Sequence, residues 1–328
     1  MTEKLQKLFY KLGYTKDQAN AIRSAYPVSS LKDYTLLNNM NKVYDLLLKL
    51  NYSSKDIIYM TVNQPAILCF APETIMSKYN NFKNNGYLDN DILKITKKIP
   101  VLYSYATSNI NNKIVGMENL GYTKANVIKM TNQFPELYSL SIEYINQRLK
   151  DLVRLGYSHE EVLKMTIRQP FLLGYDISRI INRLKELKEL GFKDDVVMYI
   201  TATQPNIFGL DISVIKQKIA VICRLGYTYE EVLGMIKTLP ALLSYSEDNI
   251  KQKIEFYNSI GMHELAIIDT PQLIQSSELS KARYEYLKEQ NVTVSINDYM
   301  QMFYSDKKFS RKYKITKEEL LKNYNKTL

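Results

Sequence analysis

A period of 35 residues runs through the chain and restricts its possible folds more than any other feature of the sequence. One slot of the period holds glycine, at Gly86, Gly121, Gly156, Gly191, Gly226 and Gly261, with Asn51 in the slot before them. A second slot, fourteen residues after the first, holds proline, at Pro65, Pro100, Pro135, Pro170, Pro205 and Pro240. Gly13 and Pro27 lie three residues out of phase, and Pro271 comes four residues early after Gly261. Such terminal irregularity is typical of stacked repeats, whose outermost faces meet solvent.

Each period predicts two helices. Ser158 and Glu161 form an S-x-x-E capping box, in which a hydroxyl and a carboxylate pair with the free amide groups at a helix start. Pro170 ends this first helix, because proline lacks the amide hydrogen and restricts the residue before it. A second helix is predicted over 178–190, and it closes at Gly191 in a conformation with positive φ.

A helix pair of this length cannot bury its own apolar stripe, but stacked pairs cover one another. The sequence therefore predicts an all-α fold, an α-solenoid superhelix of about eight helix-pair repeats. We expect one repeat domain over 1–304 and a basic C-terminal helix or tail over 305–328. The repeats are expected near 5–27, 43–65, 78–100, 113–135, 148–170, 183–205, 218–240, 253–271 and 283–304.

Composition excludes several classes of protein. With 45% hydrophobic and 24% charged residues, the chain is not disordered. Every apolar stretch falls short of the 18 or so residues that span a bilayer, so no membrane partner is expected. Cys69 and Cys223 lack neighbours at metal-ligand spacing, and neither His159 nor His263 belongs to a catalytic motif. We expect no metal, no small-molecule cofactor and no enzymatic activity.

The charge balance favours polyanionic partners, since 44 Lys and Arg against 34 Asp and Glu give a net charge of +10. One cation recurs thirteen residues after the prolines, and we call this set the cation column: Lys78, Lys113, Arg148, Arg183, Lys218 and Lys253, with Arg283 in the last repeat. On a helix this position lies roughly 60° from the centre of the apolar stripe, where a stem can pack while its charge reaches solvent. The column is therefore the candidate nucleic-acid-binding site. In the alternative, these side chains cover the seams between repeats or meet the C-terminal carbonyls of an adjacent helix.

A second basic cluster lies in the tail, at Lys307, Lys308, Arg311, Lys312 and Lys314. Tyrosine is also abundant, with 27 copies, and a ring follows the glycine slot in most repeats. Such rings could stack on bases, but a ring in the same slot of every repeat is typical of packing between repeats.

Two stretches, 135–165 and 205–235, follow one motif with small departures. The motif is P-x-L-L-x-Y-x-x-x-x-I-x-x-(K/R)-(I/L), continuing to L-G-Y-(S/T)-x-E-E-V-L-x-M. This motif resembles the repeat of the mitochondrial transcription termination factor (mTERF) family. The ends 283–287 and 305–313 are similar to the C-terminal end of that family. The resemblance implies a superhelix whose basic concave groove binds double-stranded nucleic acid, in organellar gene expression, transcription termination or RNA processing.

We therefore expect a non-catalytic, monomeric protein that binds duplex DNA in a basic groove and modulates transcription, by termination or regulation. Two alternatives stay open: a solenoid scaffold for protein interactions, and an RNA-binding or RNA-processing factor. Residues 1–10 contain Glu3 and no Arg, unlike a targeting peptide. A bacterial or phage relative acting in the cytoplasm or nucleoid is expected, or a mature form in an organellar matrix.

Overall fold

A computed structural model describes residues 1–324, and these residues form helices and connecting turns without a strand. The α-helices are α1 Glu3–Lys11, α2 Lys16–Ser24, α3 Asp33–Lys49, α4 Ser54–Asn63, α5 Pro72–Asn84, α6 Asp89–Lys98, α7 Thr107–Asn119, α8 Lys124–Gln133, α9 Ile142–Arg154, α10 His159–Arg168, α11 Ile177–Glu189, α12 Asp194–Thr203, α13 Ile212–Arg224, α14 Tyr229–Thr238, α15 Glu247–Ser259, α16 Leu265–Ile268, α17 Ser277–Glu289, α18 Asp306–Tyr313 and α19 Lys317–Tyr324. Short 3-10 turns lie at Val28–Ser30, Pro65–Cys69, Pro100–Ser104, Pro135–Ser139, Pro170–Leu173, Pro205–Gly209, Pro240–Ser244, Thr270–Ile274 and Met300–Phe303.

The chain divides into two compact bodies. The N-terminal body is Met1–Tyr175 and contains α1 to α10, and the C-terminal body is Asp176–Leu328 and begins with α11. Each body has its own hydrophobic core of buried aliphatic and aromatic side chains. The assignment of 1–304 to one repeat domain stays a prediction.

Each regular repeat consists of a long helix of 13 residues, a short helix of 10 residues and a 3-10 turn. In the N-terminal body the long helix α7 packs against α9, and the short helix α8 packs against α10. In the C-terminal body α13 packs against α15, and α12 against α14. Long helices therefore form one layer and short helices the other, which confirms the predicted α-solenoid.

The helix ends follow the local chemistry of the sequence. The Ser158 amide donates to Glu161 Oε2 (2.8 Å) and the Glu161 amide donates to Ser158 Oγ (3.2 Å), so the predicted capping box is present. The helix predicted over 178–190 is α11. It is followed by Gly191 with φ 96°, and Asn51 fills the equivalent slot with φ 68°. Asparagine fits there because it tolerates the left-handed region better than other side chains.

The C-terminal repeats depart from the pattern. Helix α16 has only four residues. The segment expected to be a basic helix or tail forms α18 and α19, and α19 packs on α17. Phe309 and Leu320 are fully buried in this contact region, so the segment up to residue 324 is a folded part of the C-terminal body. Residues 325–328 of the predicted tail lie outside the described part of the chain.

The tyrosine that follows the glycine slot is a packing residue, and its hydroxyl bonds a threonine of the next repeat. The pairs are Tyr14 with Thr61 (2.7 Å), Tyr52 with Thr96 (2.7 Å), Tyr87 with Thr131 (2.6 Å) and Tyr122 with Thr166 (2.6 Å). Thr166 Oγ1 also donates to the Val162 carbonyl (2.8 Å), so the tyrosine hydroxyl is the donor of the pair. Where Phe192 replaces the tyrosine, the threonine position holds the buried Ile236.

The Tyr122–Thr166 pair should show energetic coupling. Tyr122→Phe removes a donor while Thr166 keeps its bond to a carbonyl, so we expect a loss of about 1 kcal/mol of unfolding free energy. Thr166→Val leaves a buried hydroxyl unpaired and should cost about 1–3 kcal/mol. The double variant, which imitates Phe192 and Ile236, should be more stable than the sum of the two losses predicts. Urea unfolding measures this cycle. Additive losses would show that the hydrogen bond contributes nothing specific.

Burial of tyrosines also predicts a loss of stability at alkaline pH. Burial raises the pKa of Tyr52 and of Tyr87 to about 12. Above pH ~10 the unfolded chain releases these protons while the folded protein retains them, so stability falls as the pH rises towards 12. Each such group contributes a slope of about 1.4 kcal/mol per pH unit in that window. Urea unfolding of Tyr52→Phe between pH 10 and 12 should show a shallower decline than the wild type, and an equal decline would contradict the assignment.

Candidate nucleic-acid interface

The structure places the cation column in the seams between repeats. All seven side chains are between 1% and 9% exposed: Lys78, Lys113, Arg148, Arg183, Lys218, Lys253 and Arg283. They lie on the long helices, and Lys78, Lys218, Lys253 and Arg283 reach the segment that follows. We expected only the stems of these side chains to pack, but at least nine-tenths of each side chain is buried. Their contact with nucleic acid stays a prediction.

Three of the lysines donate to backbone carbonyls of the following repeat. Lys78 Nζ donates to the Tyr105 carbonyl (2.8 Å), directly after the turn Pro100–Ser104. Lys218 Nζ donates in the same way to the Leu243 carbonyl, and Lys253 Nζ to the Leu273 carbonyl. These carbonyls belong to the 3-10 turns or to the residue that follows one. At these positions the column lysines lie in the seam between repeats, as in the alternative interpretation, but their acceptors are carbonyls in or directly after the 3-10 turns and not of a helix C-terminus.

Two arginines pair with carboxylates one turn further along their own helices. Arg148 Nη1 lies 3.8 Å from Asp151 Oδ2 on α9, and Arg183 Nε lies 3.1 Å from Glu186 Oε2 on α11. Tyr144 also accepts a hydrogen bond from Arg148 Nη2 (3.0 Å). Both arginine side chains thus engage neighbours within their own helices.

Arg283 joins the C-terminal helices to the repeats. Its Nη1 donates to the carbonyls of Met302 (2.9 Å) and Tyr304 (2.6 Å), and its Nη2 lies 2.7 Å from Asp306 Oδ1 at the start of α18. The guanidinium carbon also lies 4.6 Å from the centre of the Phe309 ring. A single buried cation therefore connects α17, the turn Met300–Phe303 and α18.

Burial sets the electrostatic state of the column. Loss of hydration lowers the pKa of Lys78, Lys218 and Lys253 from the ordinary lysine value. The carbonyl oxygens partly replace the lost water, because they accept hydrogen bonds from the charged form. Neutral acceptors thus hold the charged form of these lysines in the seams.

Three exposed lysines recur on the short helices, and we call them the lysine ladder: Lys94, Lys129 and Lys164. They lie 35 residues apart on the short helices α6, α8 and α10 of the N-terminal body, at a distance of about 10 Å per repeat for packed helices. Among the described residues Lys94 and Lys129 have no acidic partner, whereas Lys164 pairs with Glu160 (2.6 Å). These lysines follow Pro65, Pro100 and Pro135 by 29 residues, but Tyr59 and Tyr199 occupy the flanking positions, so the sequence alone does not mark them as a repeated cation.

Other exposed cations are distributed differently in the C-terminal body. Lys185, Lys216 and Lys251 lie on its long helices, and two of them pair with Glu189 and Glu255 four residues later. The tail cations predicted from the sequence are all exposed on or beside α18: Lys307, Lys308, Arg311, Lys312 and Lys314. Their contact with nucleic acid stays a prediction.

Within residues 1–324, no group of three or more His, Cys, Asp or Glu side chains is placed to hold a metal ion. The helices in that range are too short or too polar to cross a bilayer. The residues described so far thus offer two kinds of cation, buried in seams or exposed on helix faces.

Comparison with protein families places this architecture. The mTERF family model matches residues 5–310, nearly the whole chain. The chain therefore belongs to the mTERF family, and this membership suggests a nucleic-acid-binding protein built of helical repeats. No protein with a curated description matches the chain.

The seam contact of Lys218 predicts a stability loss that an exposed lysine does not share. Lys218→Met leaves the Leu243 carbonyl without its donor, so we expect a loss of about 1–3 kcal/mol of unfolding free energy. Lys251→Met removes an exposed lysine of the next long helix and should change it by less than about 0.5 kcal/mol. Urea unfolding of both variants gives the comparison. Equal stability of the two would mean that the seam hydrogen bond is energetically unimportant.

Proposed function

We propose that this protein is a non-catalytic binder of duplex DNA that modulates transcription by occupying its site, and that the lysine ladder supplies its main phosphate contacts. The observation that carries the proposal is the ladder itself: three exposed lysines, in register on neighbouring short helices of an mTERF-family repeat protein. Two of the three are free of acidic partners among the described residues. Their charge is therefore available to a polyanion.

The spacing of the ladder suits a duplex. Packed helices place successive lysines about 10 Å apart, and a duplex rises about 3.4 Å per base pair, so one lysine serves about three base pairs along the axis. A lysine ammonium is a hydrated point charge on a flexible stem. Contacts of this kind fix the register of the protein on the backbone without reading bases, so modest sequence preference is expected.

The cation column supports this interface from within. A direct phosphate contact by Lys78 or Lys218 first requires that its side chain becomes accessible, because less than a tenth of it is exposed. The exposed ladder needs no such step. We therefore assign the main phosphate contacts to the ladder, and the spacing between repeats to the column lysines that bond carbonyls, Lys78, Lys218 and Lys253.

Neutralising the ladder should weaken binding and its salt dependence. Each phosphate contact contributes about 0.9 to the slope of log K against log salt, so Lys94→Gln, Lys129→Gln and Lys164→Gln together should reduce that slope by about 3. A control variant with the same charge loss is Lys185→Gln, Lys216→Gln and Lys251→Gln, which we expect to change the slope little. Fluorescence anisotropy with duplex DNA at several salt concentrations measures both. An equal change of slope in the two variants would show that the ladder contributes only through the net charge of the protein and makes no specific phosphate contacts.

Competition identifies the class of nucleic acid. Duplex DNA, duplex RNA and single strands are offered against a labelled DNA duplex at two salt concentrations. We expect duplex DNA to compete best. Preference for RNA would support the RNA-binding alternative, and absence of binding to all of them at low salt would support a protein-interaction scaffold.

A further inference from the structure

One member of the cation column differs from its equivalents. Lys113 on α7 is only 8% exposed, as buried as Lys78 or Lys218. Yet within the described part of the chain its ammonium has neither a hydrogen-bond acceptor nor an ion-pair partner, while Lys78 Nζ lies 2.8 Å from a carbonyl oxygen. The nearest acidic influence is Glu143, an exposed residue in the first turn of α9. Lys113 therefore carries a charge that no other described residue bonds.

Lys113 lines a pocket of about 320 Å³ in the N-terminal body. The pocket lies between α7 and the start of α9, and it is lined by Tyr105, Asn109, Asn112, Lys113, Tyr138 and Ile142. The Tyr138 hydroxyl is engaged with the Tyr87 hydroxyl (2.7 Å), so its ring serves as a wall. The unpartnered ammonium is thus part of an open pocket rather than of a closed seam.

The donor groups of the pocket suit an oxyanion. Asn109 and Asn112 are exposed on α7, and each carries an amide NH2 group. An ammonium and two amides donate hydrogen bonds to one group of oxygens, whereas a cation would be repelled by Lys113. The other column lysines, Lys78, Lys218 and Lys253, each donate to a backbone carbonyl. A phosphate group has the negative charge that suits the ammonium and enough acceptor oxygens for all three donor groups.

We propose that the Lys113 pocket binds one phosphate group, with Lys113 as the charged donor and Asn109 and Asn112 as neutral donors. The group comes either from a free phosphate or mononucleotide, or from the backbone of a bound nucleic acid. The second source rests on the proposed function, and the first does not. Burial lowers the pKa of Lys113, and a bound phosphate raises it again because it favours the charged form.

Lysine NMR tests the proposal on the full chain. Side chains are labelled with 13C at Cε, and inorganic phosphate, adenosine monophosphate and a DNA duplex are titrated separately. One lysine signal should move saturably with phosphate, and Lys113→Met should remove that signal. Loss of one charge-assisted hydrogen bond predicts that the same variant weakens phosphate binding by about tenfold or more. Asn112→Ala, an exposed substitution that leaves the seam intact, should weaken it severalfold.

The control is Lys185→Met, which removes an exposed lysine elsewhere and should leave phosphate binding unchanged. A response to phosphate and adenosine monophosphate identifies a free-phosphate site, and a response to the duplex alone identifies a backbone contact. Absence of a saturable shift of the Lys113 signal with any of the three overturns the proposal, as does unchanged binding in both Lys113→Met and Asn112→Ala. Phosphate binding without duplex binding would refute the proposed function and leave this site standing.

Discussion

The solenoid depends on the closure of its seams, where a backbone carbonyl in or after a 3-10 turn needs a donor away from water. A buried carbonyl without a hydrogen-bond donor lowers the stability of the fold, and proline at the turn has no amide hydrogen to donate. Lys78, Lys218 and Lys253 meet this need from the preceding long helix. The repeated cation therefore serves the packing between repeats first. Contact with a ligand falls to cations that are not bonded within a seam.

Most of the fold follows from local rules, which is why sequence alone predicts it. The period, the Ser158–Glu161 capping box and the left-handed slot at Gly191 each depend on a few neighbouring residues. Even the pairing between repeats is visible in the sequence, since Phe192 lacks a hydroxyl and Ile236 stands where a threonine would accept from it. A hydrogen bond that loses both partners together costs little, and the chain shows this exchange within itself.

The direction of the column could not be predicted in the same way. A position on the flank of an apolar stripe serves a seam or a surface equally well, and the carbonyl that decides between them has no side chain to mark it. Lys78 and Lys94 illustrate the difficulty, since both recur every 35 residues and only the first is buried. A complete column attracts attention by its regularity, but regularity is what packing requires. Packing explains the buried column, whereas it does not explain the exposed ladder, which is therefore the better candidate for function.

Charge segregation between the bodies supports the same division of labour. The sequence of the N-terminal body has 22 Lys and Arg against 14 Asp and Glu, whereas that of the C-terminal body has 22 against 20. Evenly mixed charges would cancel over distances beyond about 10 Å at moderate salt, so a local excess is needed to attract a polyanion. Lys113 carries this reasoning to a single site. Where a carbonyl is within reach, as for Lys78 and Lys218, a column lysine closes a seam, whereas Lys113 lines a pocket in which its charge can attract an anionic ligand.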